Sequence, residues 1–204
     1  MFSLCLVTDK KQLRPGASLF GVVEQAEAGG VDAVILREKD PGTSAELLAL
    51  AKKIKKSCGN AVFLINGRCD IAVAAGADGV HLSENSISPG AAKKILGKSK
   101  LIGKSCHSLA SAIKAYRAGV DYIFLGPVYF TKSKARYGKP LGCEIIRKVV
   151  SRVSIPVIAI GGIKPANIKE ALKAGAVGVA LISGIFGAKN PKKAAETYLK
   201  RAGG

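Results

Sequence analysis

An α/β fold, and within that class a single (β/α)8 TIM barrel spanning residues 1–204, is what three features of this sequence predict. Eight short apolar runs alternate with eight segments of helical period along the whole chain. A short motif recurs before every second run. No change of composition marks a boundary between domains. Strand followed by helix, repeated, implies parallel strands joined by right-handed crossovers. Eight such units are the number that closes a barrel. An open doubly wound sheet is the structural alternative, because one sequence cannot show that the first and last strands meet.

The predicted strands are Phe2 to Thr8, Ala33 to Arg37, Ala61 to Asn66, Gly79 to Ser83, Leu101 to Cys106, Tyr122 to Pro127, Val157 to Gly161 and Gly178 to Ser183. The segments between them place apolar residues at i, i+3 and i+4, as in the stretches from Ser44 to Ile54 and from Ser108 to Tyr116, and each opens on a capping residue. Ala28-Gly29-Gly30-Val31-Asp32, Ala75-Gly76-Ala77-Asp78, Ala118-Gly119-Val120-Asp121 and Ala174-Gly175-Ala176-Val177 close helices with a Gly suited to the left-handed position. They fall before the second, fourth, sixth and eighth strands.

Composition narrows the function. Of the 204 residues, 48% are apolar and 5% aromatic, which excludes a disordered or fibrous chain. No apolar stretch reaches the ~18 residues of a membrane span, and Met1 to Thr8 lacks a basic segment ahead of it, so a cytoplasmic protein is expected. Five scattered Cys without CxxC spacing suggest neither disulfides nor zinc. The net charge of +18 comes from basic residues spread along the helices without interleaved aromatics. It reads as a solvated basic surface, with attraction of anionic small substrates as the alternative, and no nucleic-acid and no membrane partner is expected. Whether the chain forms a homo-oligomer is open at this level.

In such a barrel the active site lies at the carboxyl ends of the strands. Gly161-Gly162 and Ser183-Gly184 end the seventh and eighth runs and offer backbone N–H groups without bulky side chains, so a phosphate is expected on Gly162 and Ser183. Alternation puts Ile35, Arg37 and Lys39 on one face of the second strand, two of them cations that can hold an anion. His107 follows Ser105 by two residues and is one of two His, the other being His81 inside the fourth run. His107 is a candidate proton carrier, and His81 a hydrogen-bonded core residue. The segment 126–142 is the longest connection and carries Thr131, Ser133 and Lys134, a candidate lid over a phosphorylated ligand or simply a basic loop.

Arg37-Glu38-Lys39, Ile65-Asn66, the run from Ala75 to Leu82, Gly126-Pro127 with Thr131 to Lys134, and Ala159 to Ile163 together resemble the thiamine-phosphate synthase/TenI family. The resemblance runs through nearly the whole chain in the same order. It implies a (β/α)8 barrel that handles thiazole phosphate through Thr131, Ser133, Gly162, Ile182 and Ser183, with Asn66, Ser105 and Lys134 also kept. The synthase branch has Gln where this chain has Ile35, and Mg²⁺-binding Asp where it has Gly67 and Ser86. These departures lead to an expectation of the TenI branch: an isomerase, a thiazole tautomerase, working without metal or other cofactor and with His107 as acid/base. The alternatives are the synthase itself, a transferase that would require Mg²⁺ with Glu84 and Asp70 as the nearest substitute carboxylates, and a non-catalytic protein that binds thiazole phosphate.

Overall fold

The structure, a computed structural model, describes residues 2–38, 40, 42–131 and 138–203. Its strands are β1 (Leu4–Val7), β2 (Ala33–Leu36), β3 (Val62–Asn66), β4 (Gly79–Leu82), β5 (Leu101–Cys106), β6 (Tyr122–Leu125), β7 (Val157–Ile160) and β8 (Gly178–Leu181). Each pairs in parallel with its successor and β8 pairs with β1, Leu4 opposite Val179 and Leu6 opposite Leu181. That pairing closes the barrel and decides against the open sheet.

The helices are α1 (Leu19–Ala28), α2 (Ser44–Ser57), α3 (Cys69–Ala74), α4 (Pro89–Leu96), α5 (Leu109–Arg117), α6 (Glu144–Val150), α7 (Ile168–Lys173), the single turn α8 (Ser183–Phe186) and α9 (Pro191–Gly203). Helix α2 starts one residue earlier in its capping than the sequence suggests. Thr43, not Ser44, is the N-cap, and its hydroxyl and the Glu46 carboxylate satisfy each other's backbone N–H groups. No helix among the described residues is long and apolar enough to cross a membrane.

Period-2 alternation sorts the strand residues into two cores. Cys5, Ile35, Leu64, Phe124, Ile158 and Ala180 fill the barrel interior. Their neighbours Leu6, Val34, Ile65, Ile123, Ala159 and Val179 pack outward against the helices. Gly103 in β5 faces inward: a Cβ there would lie 2.0 Å from Cζ of Tyr122, so the missing side chain is the space the Tyr122 ring occupies. Several strands are a residue or two shorter than their apolar runs, because Thr8, Arg37, Ser83 and Pro127 already belong to the loops.

The fourfold motif has a physical reason. In each copy a Gly adopts positive φ, +95° at Gly30, +63° at Gly76, +74° at Gly119 and +106° at Gly175. In three copies the Asp that follows caps the preceding strand. Asp32 accepts from Ser3 N–H at 2.7 Å and Leu4 N–H at 2.9 Å, Asp78 from Phe63 N–H at 2.8 Å, and Asp121 from Ile102 N–H at 2.7 Å. The fourth copy has Val177 instead, which is 50% exposed.

Candidate active site

The carboxyl rim is organised around the turn after β7. Gly162 has φ +67°, and a Cβ on it would come within 2.6 Å of Phe130 O and 2.8 Å of Tyr129, so only Gly fits. The segment after β6 lies along this turn: Val128 N–H donates to Ile160 O at 2.9 Å and Tyr129 N–H to Gly161 O at 3.0 Å. The returning limb is tied down as well, with Leu141 N–H on Pro127 O and Gly142 N–H on Val128 O. These bonds hold Tyr129 and Phe130 against the Gly162 turn, and Thr131 follows them in the chain. Ser133 and Lys134 lie outside the described residues, as does Lys39, so the expected lid is described only at its base.

Register brings the second half of the anion rim alongside. Ile160 is opposite Ala180, which sets Gly162 level with Ile182. Ile182 packs partly into the interior core, while Ser183 and Gly184 open α8. N–H groups in a first helical turn have no acceptor within the helix. Two Gly-bearing turns thus follow adjacent strands, and neighbours fill the space their side chains would take: a Cβ on Gly161 would lie 2.6 Å from Cβ of Pro127, and one on Gly184 2.5 Å from the Tyr198 hydroxyl.

Across the mouth, Arg37 follows β2 on the face of the interior residue Ile35. Its backbone is clamped by buried Thr8, whose hydroxyl accepts from Arg37 N–H at 2.9 Å and lies 3.2 Å from both Arg37 O and a Glu38 carboxylate oxygen. Burial pushes the Glu38 carboxyl above the usual carboxylate range. Among the described residues Arg37 forms no ion pair. Asn66 ends β3 on the inward face, two residues beyond Leu64.

The two His are used differently. His81 is buried in β4, with Nδ1 3.1 Å from the Tyr122 hydroxyl and Nε2 2.9 Å from Ser105 Oγ, as expected for a bonded core His. Burial, with a smaller push from Lys104, lowers its pKa to about 3, so it is neutral at neutral pH. His107 sits at the mouth and its Nδ1 is hydrogen-bonded to Gly126 O. Its Nε2 is 4.0 Å from the Glu84 carboxylate.

A family model described as thiamine monophosphate synthase matches residues 4–185. The chain belongs to this family. A protein of Geobacter sulfurreducens provisionally named thiamine-phosphate synthase is 49% identical over 97% of this chain and 93% of its own length. The thiamine-phosphate synthase of Chlorobium phaeobacteroides is 41% identical over 94% of this chain and 91% of its own. Among solved structures, thiamine phosphate pyrophosphorylase from Pyrococcus furiosus superposes with a TM-score of 0.88 at 34% identity, covering 98% of this chain and 95% of its own.

These likenesses correct the expectation of a tautomerase, and with it the isomerase class. Relatives at 41% and 49% identity over nearly the full length carry the synthase name, the second of them provisionally. The expectation had rested on Ile35, Gly67 and Ser86, three losses in one half of the pocket. His107 was expected as acid/base for that proton shift, which falls with the tautomerase reading; the structure shows its Nδ1 hydrogen-bonded to Gly126 O, linking the chain after β5 to that after β6.

The metal positions implied by the family resemblance do converge. A Cβ on Gly67 would lie 3.6 Å from Ser86 Oγ. Neither side chain fits a hard divalent cation, which seeks carboxylate oxygens. Ser86 Oγ is also engaged, 2.9 Å from both the N–H and the hydroxyl of Ser83. Asp70 is committed to Arg68 at 2.6 Å, and Glu84 points to His107. No group of three potential ligands occurs among the described residues. These residues do not fit a resident Mg²⁺, and no chemical step is assigned to one.

The sequence alone did not single out Tyr122 or the Asp caps. Gly103 was the only available sign of the first, since an inward Gly marks room for a neighbour's large side chain. The second was visible as a repeated Asp whose acceptor role needed the strand register.

Proposed function

We propose that this protein is a thiamine-phosphate synthase, a transferase that joins a pyrimidine methyl diphosphate to thiazole phosphate. A C–N bond forms at the methylene carbon, the C–O bond to the diphosphate breaks, and its electron pair leaves with pyrophosphate. The observation that carries this reading is the near-full-length likeness to relatives of that name. The rim agrees with it, because two anionic groups need two anion-binding regions.

In this reading the N–H groups of Gly162 and Ser183, with Thr131 and Ile182 and, by its sequence position, Ser133, take the thiazole phosphate. Backbone donors fixed before the substrate arrives require no reorganisation on binding. Arg37, with Lys39 and Lys134 by their sequence positions, faces the diphosphate and compensates the charge that grows on the leaving group. Asn66 and Ser105 stand on β3 and β5 and orient the pyrimidine end. Thiazole phosphate and the pyrimidine diphosphate are thus the small-molecule partners.

The test mixes purified protein, pyrimidine methyl diphosphate, thiazole phosphate and a magnesium salt, and follows both products. Thiamine phosphate and pyrophosphate are expected in equal amounts, and Arg37→Ala is expected to lower kcat/KM by roughly 10²-fold, the scale of one lost charge-stabilising contact. Absence of thiamine phosphate at saturating substrates and magnesium would overturn the proposal.

A further inference from the structure

Three polar side chains form a line from the barrel interior to its mouth. Tyr122 is fully buried, His81 is 3% exposed and Ser105 is half-buried at the end of β5. The contacts are Tyr122 hydroxyl to His81 Nδ1 at 3.1 Å and His81 Nε2 to Ser105 Oγ at 2.9 Å. Aromatic rings of Phe124 and Tyr122 flank the imidazole at centroid distances of 4.2 and 5.6 Å.

The hydrogens in this line have only one satisfactory arrangement. A buried hydroxyl without an acceptor is costly, by about 1–3 kcal/mol. Among the described residues His81 Nδ1 is the only acceptor available to the Tyr122 hydroxyl. The phenol therefore donates, and Nδ1 must be the unprotonated nitrogen. A neutral imidazole then carries its proton on Nε2. Nε2–H donates to Ser105 Oγ, so the hydrogen of Ser105 itself is directed away from His81. The opposite tautomer would leave the Tyr122 hydrogen facing Nδ1–H with nothing to accept it.

We propose that Tyr122 and His81 are positioning residues that fix Ser105 as a hydrogen-bond donor toward the barrel mouth, where it meets a lone-pair acceptor of the pyrimidine diphosphate. The identity of the substrate rests on the synthase reading; the direction of the hydrogen bonds does not. A serine left free to rotate could donate or accept. One that already accepts from a rigid, neutral His offers its own hydrogen, and selects an acceptor atom in the ligand. Gly103 belongs to this arrangement, since any side chain there would displace the Tyr122 ring.

Two measurements test this. Nitrogen NMR of the wild-type protein is expected to show His81 with an unprotonated, pyridine-like Nδ1 and a protonated Nε2. An Nδ1–H tautomer overturns the proposal, whatever reaction the protein performs. Kinetics then follow Tyr122→Phe, Ser105→Ala and the double variant. Each single change is expected to lower kcat/KM for the pyrimidine diphosphate by about tenfold while leaving KM for thiazole phosphate unchanged. The double variant is expected to be no slower than Ser105→Ala alone, because Tyr122 acts through Ser105. Losses that multiply, or that fall equally on both substrates, overturn the positioning role. A wild-type protein that makes no thiamine phosphate refutes the synthase reading, and the NMR result still decides the relay. It also decides the matter if Tyr122→Phe fails to fold.

Discussion

At the amino-terminal rim of the barrel, Asp32, Asp78 and Asp121 occupy the same place before β2, β4 and β6 and bond to the backbone of the strand before. At the carboxyl rim no such regularity exists. Arg37, Asn66, Ser105 and Gly162 come from four different strand ends, and each differs in type from its counterparts. The first rim spends its polar groups on the fold itself. The second carries Arg37, which forms no ion pair among the described residues, and α8, whose N-cap Ile182 makes no side-chain hydrogen bond. In a barrel built of repeats, a polar residue that recurs at equivalent positions is structural, and one that breaks the repeat marks the site.

The largest expected effect lies in the layer between the rims. His81 has a folded pKa of about 3, lowered by burial from an unfolded value of ~6.5. Between these values the unfolded chain binds a proton that the folded one does not. Stability is therefore complete above pH ~6.5 and declines as the pH falls toward 3, by about 1.4 kcal/mol per unit in that window. At pH 4 the loss is about 3 kcal/mol. Urea titrations of wild type and His81→Gln at pH 7 and 4 measure it, and an equal pH slope in both would assign the acid sensitivity to other groups.

Next comes the amino-terminal rim. Asp32→Ala removes acceptors at 2.7, 2.8 and 2.9 Å from the N–H of Ser3, the hydroxyl of Ser3 and the N–H of Leu4. A loss of about 2 kcal/mol is expected, with kcat/KM unchanged after correction for folded fraction. A change in turnover without a change in the urea midpoint would contradict the division between the rims.

The same division explains what could be read in advance. The fold was legible because strand and helix periods differ and because the Ala-Gly motif repeats. Only the strand ends were overextended, as at Arg37 and Pro127, where the chain stays apolar or extended after it leaves the ladder. The two Gly-bearing turns after β7 and β8 were placed by the same alternation, and their use as an anion rim belongs to the proposed function. The reaction was not. Gly67, Ser86 and Ile35 show that carboxylates and an amide are missing, but a residue type does not state how a pocket lacking it handles charge. The Tyr122, His81 and Ser105 line was hidden because Tyr122 sits in an apolar run, Tyr-Ile-Phe-Leu, that reads as core. Only the register of β4, β5 and β6 brings the three together.

The smallest effect probes the copy in which the amino-terminal rim departs from its own rule. Val177 N–H donates to Val157 O at 2.9 Å, as Asp78 N–H does to Phe63 O at 2.8 Å and Asp121 N–H to Ile102 O at 2.8 Å. In those two copies the Asp carboxylate also accepts the N–H of the same strand residue, Phe63 or Ile102. Val157 is thus placed to donate to a carboxylate at position 177, where a half-exposed valine now stands. Val177→Asp is expected to complete the fourth cap and raise stability by about 0.5–1 kcal/mol, the worth of one hydrogen bond, while exposing less apolar surface. Turnover should not move, since the change lies at the opposite end of the barrel from the mouth. The reverse exchange, Asp121→Val, should cost about the same amount. If Val177→Asp destabilises the protein while Asp121→Val does so as well, the fourth copy differs in backbone geometry rather than in a missing carboxylate, and the cap belongs to only three strands.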